Sequence, residues 1–167
     1  MDTMFLKRFC LPSNTDLDDL KINNRNRNCM CGNYFHVSCA FQGNYNVLSY
    51  GMNKYTDSEG TMPSIHAEID AILRLPFLKK KKKLLKINLL VIRFLKSGKL
   101  AASKPCFNCI QNMVYIPKKR GYKIEDIYYS ENNETIIKTN INKLLNELNP
   151  HVTSYYRNNR SQYRHKS

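Results

Sequence analysis

His66, Glu68, Cys106 and Cys109 are the side chains of this sequence whose types and spacing could do chemistry together. One imidazole and two thiolates can hold a zinc ion tetrahedrally while a fourth position stays available to water, and zinc lowers the pKa of that water toward neutrality. A carboxylate that is not itself a ligand is then free to move protons. The residues occur in the order His66-Ala67-Glu68, then Pro105-Cys106-Phe107-Asn108-Cys109, and the chemistry they support as a set is hydrolysis by an activated water. Each piece alone has a plain explanation. A His beside an apolar helix face is usually a core or surface residue, and a C-x-x-C serves equally as a redox pair or as half of a structural zinc site. Their joint occurrence, with Glu68 and Pro105 in place, is what points to catalysis. The rival arrangement is a structural zinc closed by a fourth ligand from Cys29, Cys31 or Cys39, a site with no use for Glu68.

Two helix starts must bring these residues together. Ser64 as a cap and apolar residues at Ile65, Ile69, Ile72, Leu73 and Leu75 predict a short helix ending near Pro76, with His66 and Glu68 in its first turn. Pro105 suits the first position of a second helix, which runs through Ile110, Met113, Val114 and Ile116 to a break before Pro117. Cys106 and Cys109 then lie on one face of its opening turn. The partial positive charge of a helix N-terminus favours the thiolate form.

The remaining pattern is that of a sheet. Residues 34–41 and 45–52 flank Gln42-Gly43-Asn44 and predict a hairpin of the first two strands. The apolar run 89–94 predicts a buried third strand between the two helices, 124–130 a fourth and 135–138 a fifth, before an amphipathic helix about Ile141, Leu144, Leu145 and Leu148. Only Glu131, Asn132, Asn133 and Glu134 separate the last two strands. A parallel crossover needs a dozen or more residues, so the fifth strand is predicted antiparallel to the fourth.

The H-x-E … P-C-x-x-C pattern at His66, Glu68, Pro105, Cys106 and Cys109 is the zinc deaminase signature. Over residues 34–138 the chain resembles the cytidine deaminase-like superfamily, which includes cytidine, deoxycytidylate, tRNA-adenosine and nucleic-acid-editing deaminases. The resemblance implies an α/β fold, a three-layer α/β/α sandwich with a central mixed five-stranded sheet and the two metal-bearing helices on one face. It implies Zn2+ on His66, Cys106 and Cys109, and Glu68 as the catalytic residue, carrying protons between the attacking water, the ring nitrogen and the departing ammonia. Gly51-Met52-Asn53 stands where many family members carry a Gly-x-Asn, so Asn53 would hydrogen-bond the sugar or base of the substrate. Tyr50, Tyr55, Phe107 and Tyr128 are candidates for a wall against which the base stacks.

The activity so implied is hydrolytic deamination of a cytosine-type base in a nucleoside or nucleotide, with release of ammonia. Two other readings stand beside it: an editing deaminase acting on single-stranded DNA or RNA, and a non-catalytic, zinc-stabilised nucleic-acid-binding protein. An antiparallel fifth strand resembles the nucleoside-type enzymes. Ile110-Gln111 after the second Cys, where nucleoside deaminases often have Arg-Gln, pulls away from them, and the stretch between Glu68 and Pro105 is longer than the family pattern, which separates this chain from the family's substrate preferences. The excess lies in Lys79 to Lys83 and in residues 97–104.

Composition bounds the rest. With 167 residues, 42% of them hydrophobic, the chain can build one substantial core. Residues 1–31 read as a polar lead-in with a short helix about Leu17 to Ile22, 32–150 as the deaminase domain, and 151–167 as a basic tail. A net charge of +14, concentrated in the Lys79 to Lys83 run, Lys118-Lys119-Arg120 and the Tyr/Arg-rich tail, gives single-stranded nucleic acid a footing as a partner. A bias toward Asn, Lys, Ile and Tyr throughout the chain accounts for part of that charge. No secretory or membrane segment is expected, and six cysteines fit a reducing, cytoplasmic setting better than a disulfide scaffold. Cys29, Cys31 and Cys39, with His36 nearby, are the residues from which a second metal site could be drawn. Homo-oligomerisation is a further expectation of the resemblance.

Overall fold

The computed structural model describes residues 34–43, 46–55, 64–78 and 83–152. Among these residues eight strands and three helices follow one another as β1 (Tyr34–Gln42), β2 (Asn46–Met52), β3 (Lys54–Tyr55), β4 (Ser64–Ile65), α1 (Ala67–Leu73), β5 (Leu85–Leu95), β6 (Leu100–Ala101), α2 (Phe107–Arg120), β7 (Tyr122–Ser130), β8 (Ile136–Thr139) and α3 (Ile141–Leu145). The main sheet is mixed, in the order β2-β1-β5-β7-β8. β1 pairs antiparallel with β2 and with β5, whereas β5 and β7 run parallel, as the α2 crossover between them requires. β7 and β8 are antiparallel, as the short connection dictates.

Alternation along the strands assigns the two faces. Ala40 of β1, Ile87, Leu89 and Val91 of β5 and Ile124 and Ile127 of β7 pack with Ile69, Ala71 and Ile72 of α1, Ile110 and Met113 of α2 and Leu144 of α3 in one buried cluster. All three helices therefore cover this face, and each fully buried Ile or Leu in it contributes about 1.5–3 kcal/mol. Cys39, Phe41, Leu90 and Ile92 form a second cluster, joined by Tyr50, Phe94 and Tyr128, on the opposite face. The helix layer expected there is not among the described residues.

Several boundaries differ from the sequence expectation, each for a local reason. β5 begins at Leu85, four residues early, because its start pairs with β7 from Leu85↔Tyr122 onward. α2 continues through Pro117 to Arg120. Its last turn is held from outside: Arg120 Nη1 donates to Leu75 O at 2.6 Å, Leu78 N donates to Arg120 O at 3.1 Å, and the Arg120 guanidinium lies 4.2 Å from the Phe77 ring centroid. Gly121, at φ 94°, then ends the helix in the left-handed conformation. Ser64 is not a helix cap but part of the two-stranded β3–β4 sheet. Leu148 lies beyond α3 and is almost wholly exposed. The inserted stretch 97–104 is a hairpin: β6 pairs with Arg93 and Phe94 of β5, beyond the last β7 partner. The short helix about residues 17–22, Cys29, Cys31, Lys79 to Lys82 and the tail from 153 onward lie outside the described residues. Among the described residues no helix is long and apolar enough to cross a membrane.

Candidate metal centre

The two metal-site helices start in the same way. His66 is the N-cap of α1, with φ −72° and ψ 154°, and Cys106 is the N-cap of α2, with φ −73° and ψ 160°. An N-cap side chain ordinarily accepts a backbone N–H of the first turn, but neither of these makes a capping bond. Both point to each other instead. The first N–H of each helix finds a remote acceptor: Asn53 Oδ1 takes Ala67 N at 2.8 Å, and the His151 carbonyl takes Phe107 N at 2.8 Å. His66 and Cys106 thus stand one residue ahead of the helices, where sequence reasoning had His66 inside the first turn and Pro105 as the opening helical residue.

His66 Nδ1 lies 3.6 Å from Cys106 Sγ and 3.2 Å from Cys109 Sγ, and the three ligand atoms are within 4.8 Å of one another. These separations match the donor set. Zinc–sulfur bonds of about 2.3 Å and zinc–nitrogen bonds of about 2.0–2.1 Å at tetrahedral angles place sulfur and nitrogen about 3.6 Å apart. Both cysteines are buried. The hydrogen bond with Cys109 holds the Cys106 thiol down to about 4, while the same bond pushes Cys109 well above the usual thiol range. Hydrogen bonding to Cys106 raises the His66 imidazole against the opposing effect of burial. One thiolate is thus ready for a cation, and metal binding displaces the remaining protons.

Glu68 is 3% exposed, and its Oε2 has no hydrogen-bond partner. Burial pushes its carboxyl above the ordinary range, with His66 opposing. A buried carboxylate with one oxygen unsatisfied is costly unless something arrives to use it. Glu68 reaches this position because it is the second residue of α1, two after the His66 cap.

The loop that delivers Cys106 is latched three residues earlier. Ser103 Oγ donates to Val91 O at 2.7 Å and accepts from Ser130 N at 2.8 Å, while Ser103 N donates to Ser130 O at 2.8 Å. The inserted hairpin is therefore tied to Val91 within β5 and to the end of β7 just ahead of the metal ligands. Lys104 adds an ion pair to Glu147 at 2.7 Å.

The structure brings His66, Glu68, Cys106 and Cys109 together and puts Asn53 at the start of the same helix. It corrects the aromatic wall: Tyr50 and Tyr128 pack in the second cluster, on the far face of the sheet, with Tyr128 against Phe41 at 5.9 Å between ring centroids. Strand parity accounts for this, since neighbouring residues point to opposite faces. Phe107, next to Cys106, is half-buried, and the Tyr55 side chain is outside the described residues. Cys39 belongs to the second cluster, so it does not close the zinc site as a fourth ligand.

His36 and Arg93 were missed as site neighbours. They face each other in the β1–β5 ladder, on the helix-bearing side, two residues beyond Ser38 and Val91. Burial, then Arg93 and His66, bring the His36 imidazole down to about 4. The parity that joins His36 to Ala40 was legible; the pairing with Arg93 needed the register.

No family model matches the chain, and no curated protein does so. Among solved structures, it is similar to a dCMP deaminase from the cyanophage S-TIM5. The apo form gives a TM-score of 0.37 at 13% identity, and the form in complex with dCMP and dUMP gives 0.36 at 12%; each likeness covers 75% of this chain and 98% of that one. At these values the likeness says nothing of the substrate of this chain.

Proposed function

We propose that this protein is a zinc-dependent hydrolase that deaminates a cytosine-type base in a free nucleoside or nucleotide. The observation that carries the reading is the juxtaposition of the His66, Cys106 and Cys109 cluster with the buried, half-satisfied carboxylate of Glu68. A structural zinc site leaves such a carboxylate as a cost without a return.

His66 Nδ1 and the Cys106 and Cys109 thiolates would hold the metal. Bound there, zinc supplies a water of lowered pKa and a Lewis-acidic centre. Glu68 would take one proton from the attacking water and pass it to the ring nitrogen, then carry the remaining hydroxyl proton to the amino group, which departs as ammonia and leaves the carboxylate as it began. Burial raises its pKa, with His66 opposing, which favours the protonated form that the second half of the transfer uses. Asn53 contacts the sugar or base through its amide.

A free substrate is preferred to a polynucleotide on the placement of the described charges. Lys118, Lys119 and Arg120 occupy the last turn of α2, about 20 Å along the axis from the cysteine-bearing start, and Arg120 is engaged with Leu75 and Phe77.

Ammonia release by the zinc-loaded protein, assayed against cytidine, deoxycytidine, their monophosphates, adenosine, guanine and short single-stranded DNA and RNA, tests the proposal, with Glu68→Ala as control. Release from a cytosine nucleoside or nucleotide, lost in the variant, is the expected result. Activity on strands alone transfers the reading to editing, and silence across the panel with zinc bound refutes catalysis.

A further inference from the structure

Asp70 is a 5%-exposed carboxylate inside α1, and three donors converge on it. Met52 N donates to Oδ2 at 3.1 Å, Arg74 Nε to Oδ2 at 3.0 Å, and Lys54 Nζ to Oδ1 at 2.5 Å. Met52 and Lys54 are the two chain neighbours of Asn53, so one buried carboxylate holds both sides of that residue. Asn53 Oδ1 in turn accepts the first N–H of α1, from Ala67.

The same segment is pressed onto the helix from its other end. Ser49 Oγ donates to Ala71 O at 2.7 Å. A Cβ at Gly51 would collide with the backbone of Ala67 and Ala71, so β2 runs in direct contact with α1 there. Residues 49–54 and the first turns of α1 are therefore one clamped unit. Burying a carboxylate such as that of Asp70 costs energy unless it is fully paired. Its three donors come from the segment that carries Asn53 and from the next turn of its own helix, which is the arrangement expected of a group that orients its neighbours.

We propose that Asp70 is a positioning residue that fixes Asn53 and so sets substrate affinity, while metal retention and the proton transfers of Glu68 do not depend on it. The proposal rests on the deaminase reading above and names what the Asp70 carboxylate does for that reaction. It predicts a split between KM and kcat that a merely structural ion pair would not give.

The test uses the zinc-loaded full chain with Asp70→Asn, Asn53→Ala and the double variant. Asp70→Asn is expected to raise KM roughly tenfold and to change kcat by less than about threefold, the scale of one misdirected hydrogen bond. Zinc content stays at the wild-type value. In the Asn53→Ala background, Asp70→Asn produces no further rise, because Asp70 acts through Asn53. Lys54→Met, which removes one donor and keeps the carboxylate, raises KM in the same direction by less and carries the test if Asp70→Asn does not fold. Hydrogen exchange at the Ala67 amide gives a readout independent of turnover, and its protection falls in Asp70→Asn. An unchanged KM, additive effects in the double variant, or unchanged Ala67 protection each overturn the proposal. No turnover by the wild-type protein refutes the deaminase reading instead, and the Ala67 exchange still decides what Asp70 holds.

Discussion

Replacing Glu68 by Gln should abolish turnover and stabilise the metal-free protein in one step. Gln keeps the size of the side chain and removes its capacity to carry a proton. The loss expected for a general acid–base group is roughly a hundred- to ten-thousand-fold in kcat, equivalent to about 2.7–5.4 kcal/mol of transition-state stabilisation. Stability moves the other way. Burial raises the Glu68 pKa in the folded chain above its unfolded value of 4.5, so the folded state holds the proton more tightly and loses stability as the pH rises through the folded pKa. Each unit of that shift costs about 1.4 kcal/mol at higher pH. One unit recovered in Glu68→Gln corresponds to roughly 3–5 °C in Tm for a chain of this size. The assay pairs ammonia release by the zinc-loaded proteins with thermal unfolding of their chelated forms at pH 5 and pH 8. The Tm advantage of the variant should appear at pH 8 and shrink at pH 5. A variant that retains turnover, or is less stable than wild type at pH 8, refutes the assignment of Glu68 as a buried, strained proton carrier.

Three further outcomes are expected. His36 sits at about 4 in the fold against 6.5 unfolded, so it contributes stability that is present above 6.5 and lost as the pH falls toward 4, about 3 kcal/mol in all; urea midpoints measured over that window should fall less steeply in His36→Gln than in wild type. Chelation should remove the stabilisation RT ln(1 + free zinc/Kd), about 4 kcal/mol when free zinc stood at a thousand times its Kd, and lower Tm accordingly; it should also make the Cys106 thiolate, which the metal otherwise occupies, the first cysteine among Cys39, Cys106 and Cys109 to be alkylated, read by mass spectrometry. Gly51→Ala should cost at least about 1–3 kcal/mol in urea unfolding, since its Cβ meets the backbone of α1 and not a movable side chain.

Much of this was legible in the sequence because it rests on short-range rules. The four chemistry-bearing residues, the sheet strands and the antiparallel β7–β8 pair follow from motif order, apolar runs and a four-residue connection. The errors lie where tertiary contacts override local preference. Pro117 reads as a helix end, yet the bonds of Arg120 to Leu75 and Leu78 sustain one more turn. Ser64 reads as a cap, yet the cap position goes to His66, whose side chain turns to the thiols, and the duty passes to Asn53. Tyr50 and Tyr128 read as candidates for a base-stacking wall, but only strand parity and register decide which face an aromatic serves. Of the clamp around Asp70 only the Arg74 pair, at i,i+4, lies at a helical spacing, because Lys54 and Met52 are 16 and 18 residues away in the chain.

The central claim is that His66, Cys106 and Cys109 with Glu68 hydrolyse the amino group of a cytosine-type base. Its most direct test is mass spectrometry of cytidine and deoxycytidine monophosphates and their nucleosides after incubation with zinc-loaded protein in oxygen-18-enriched water. The account predicts the corresponding uracil compound carrying one heavy oxygen, and unchanged substrate with Glu68→Ala. Unchanged cytosine in every wild-type reaction, with zinc bound at full stoichiometry, would contradict it.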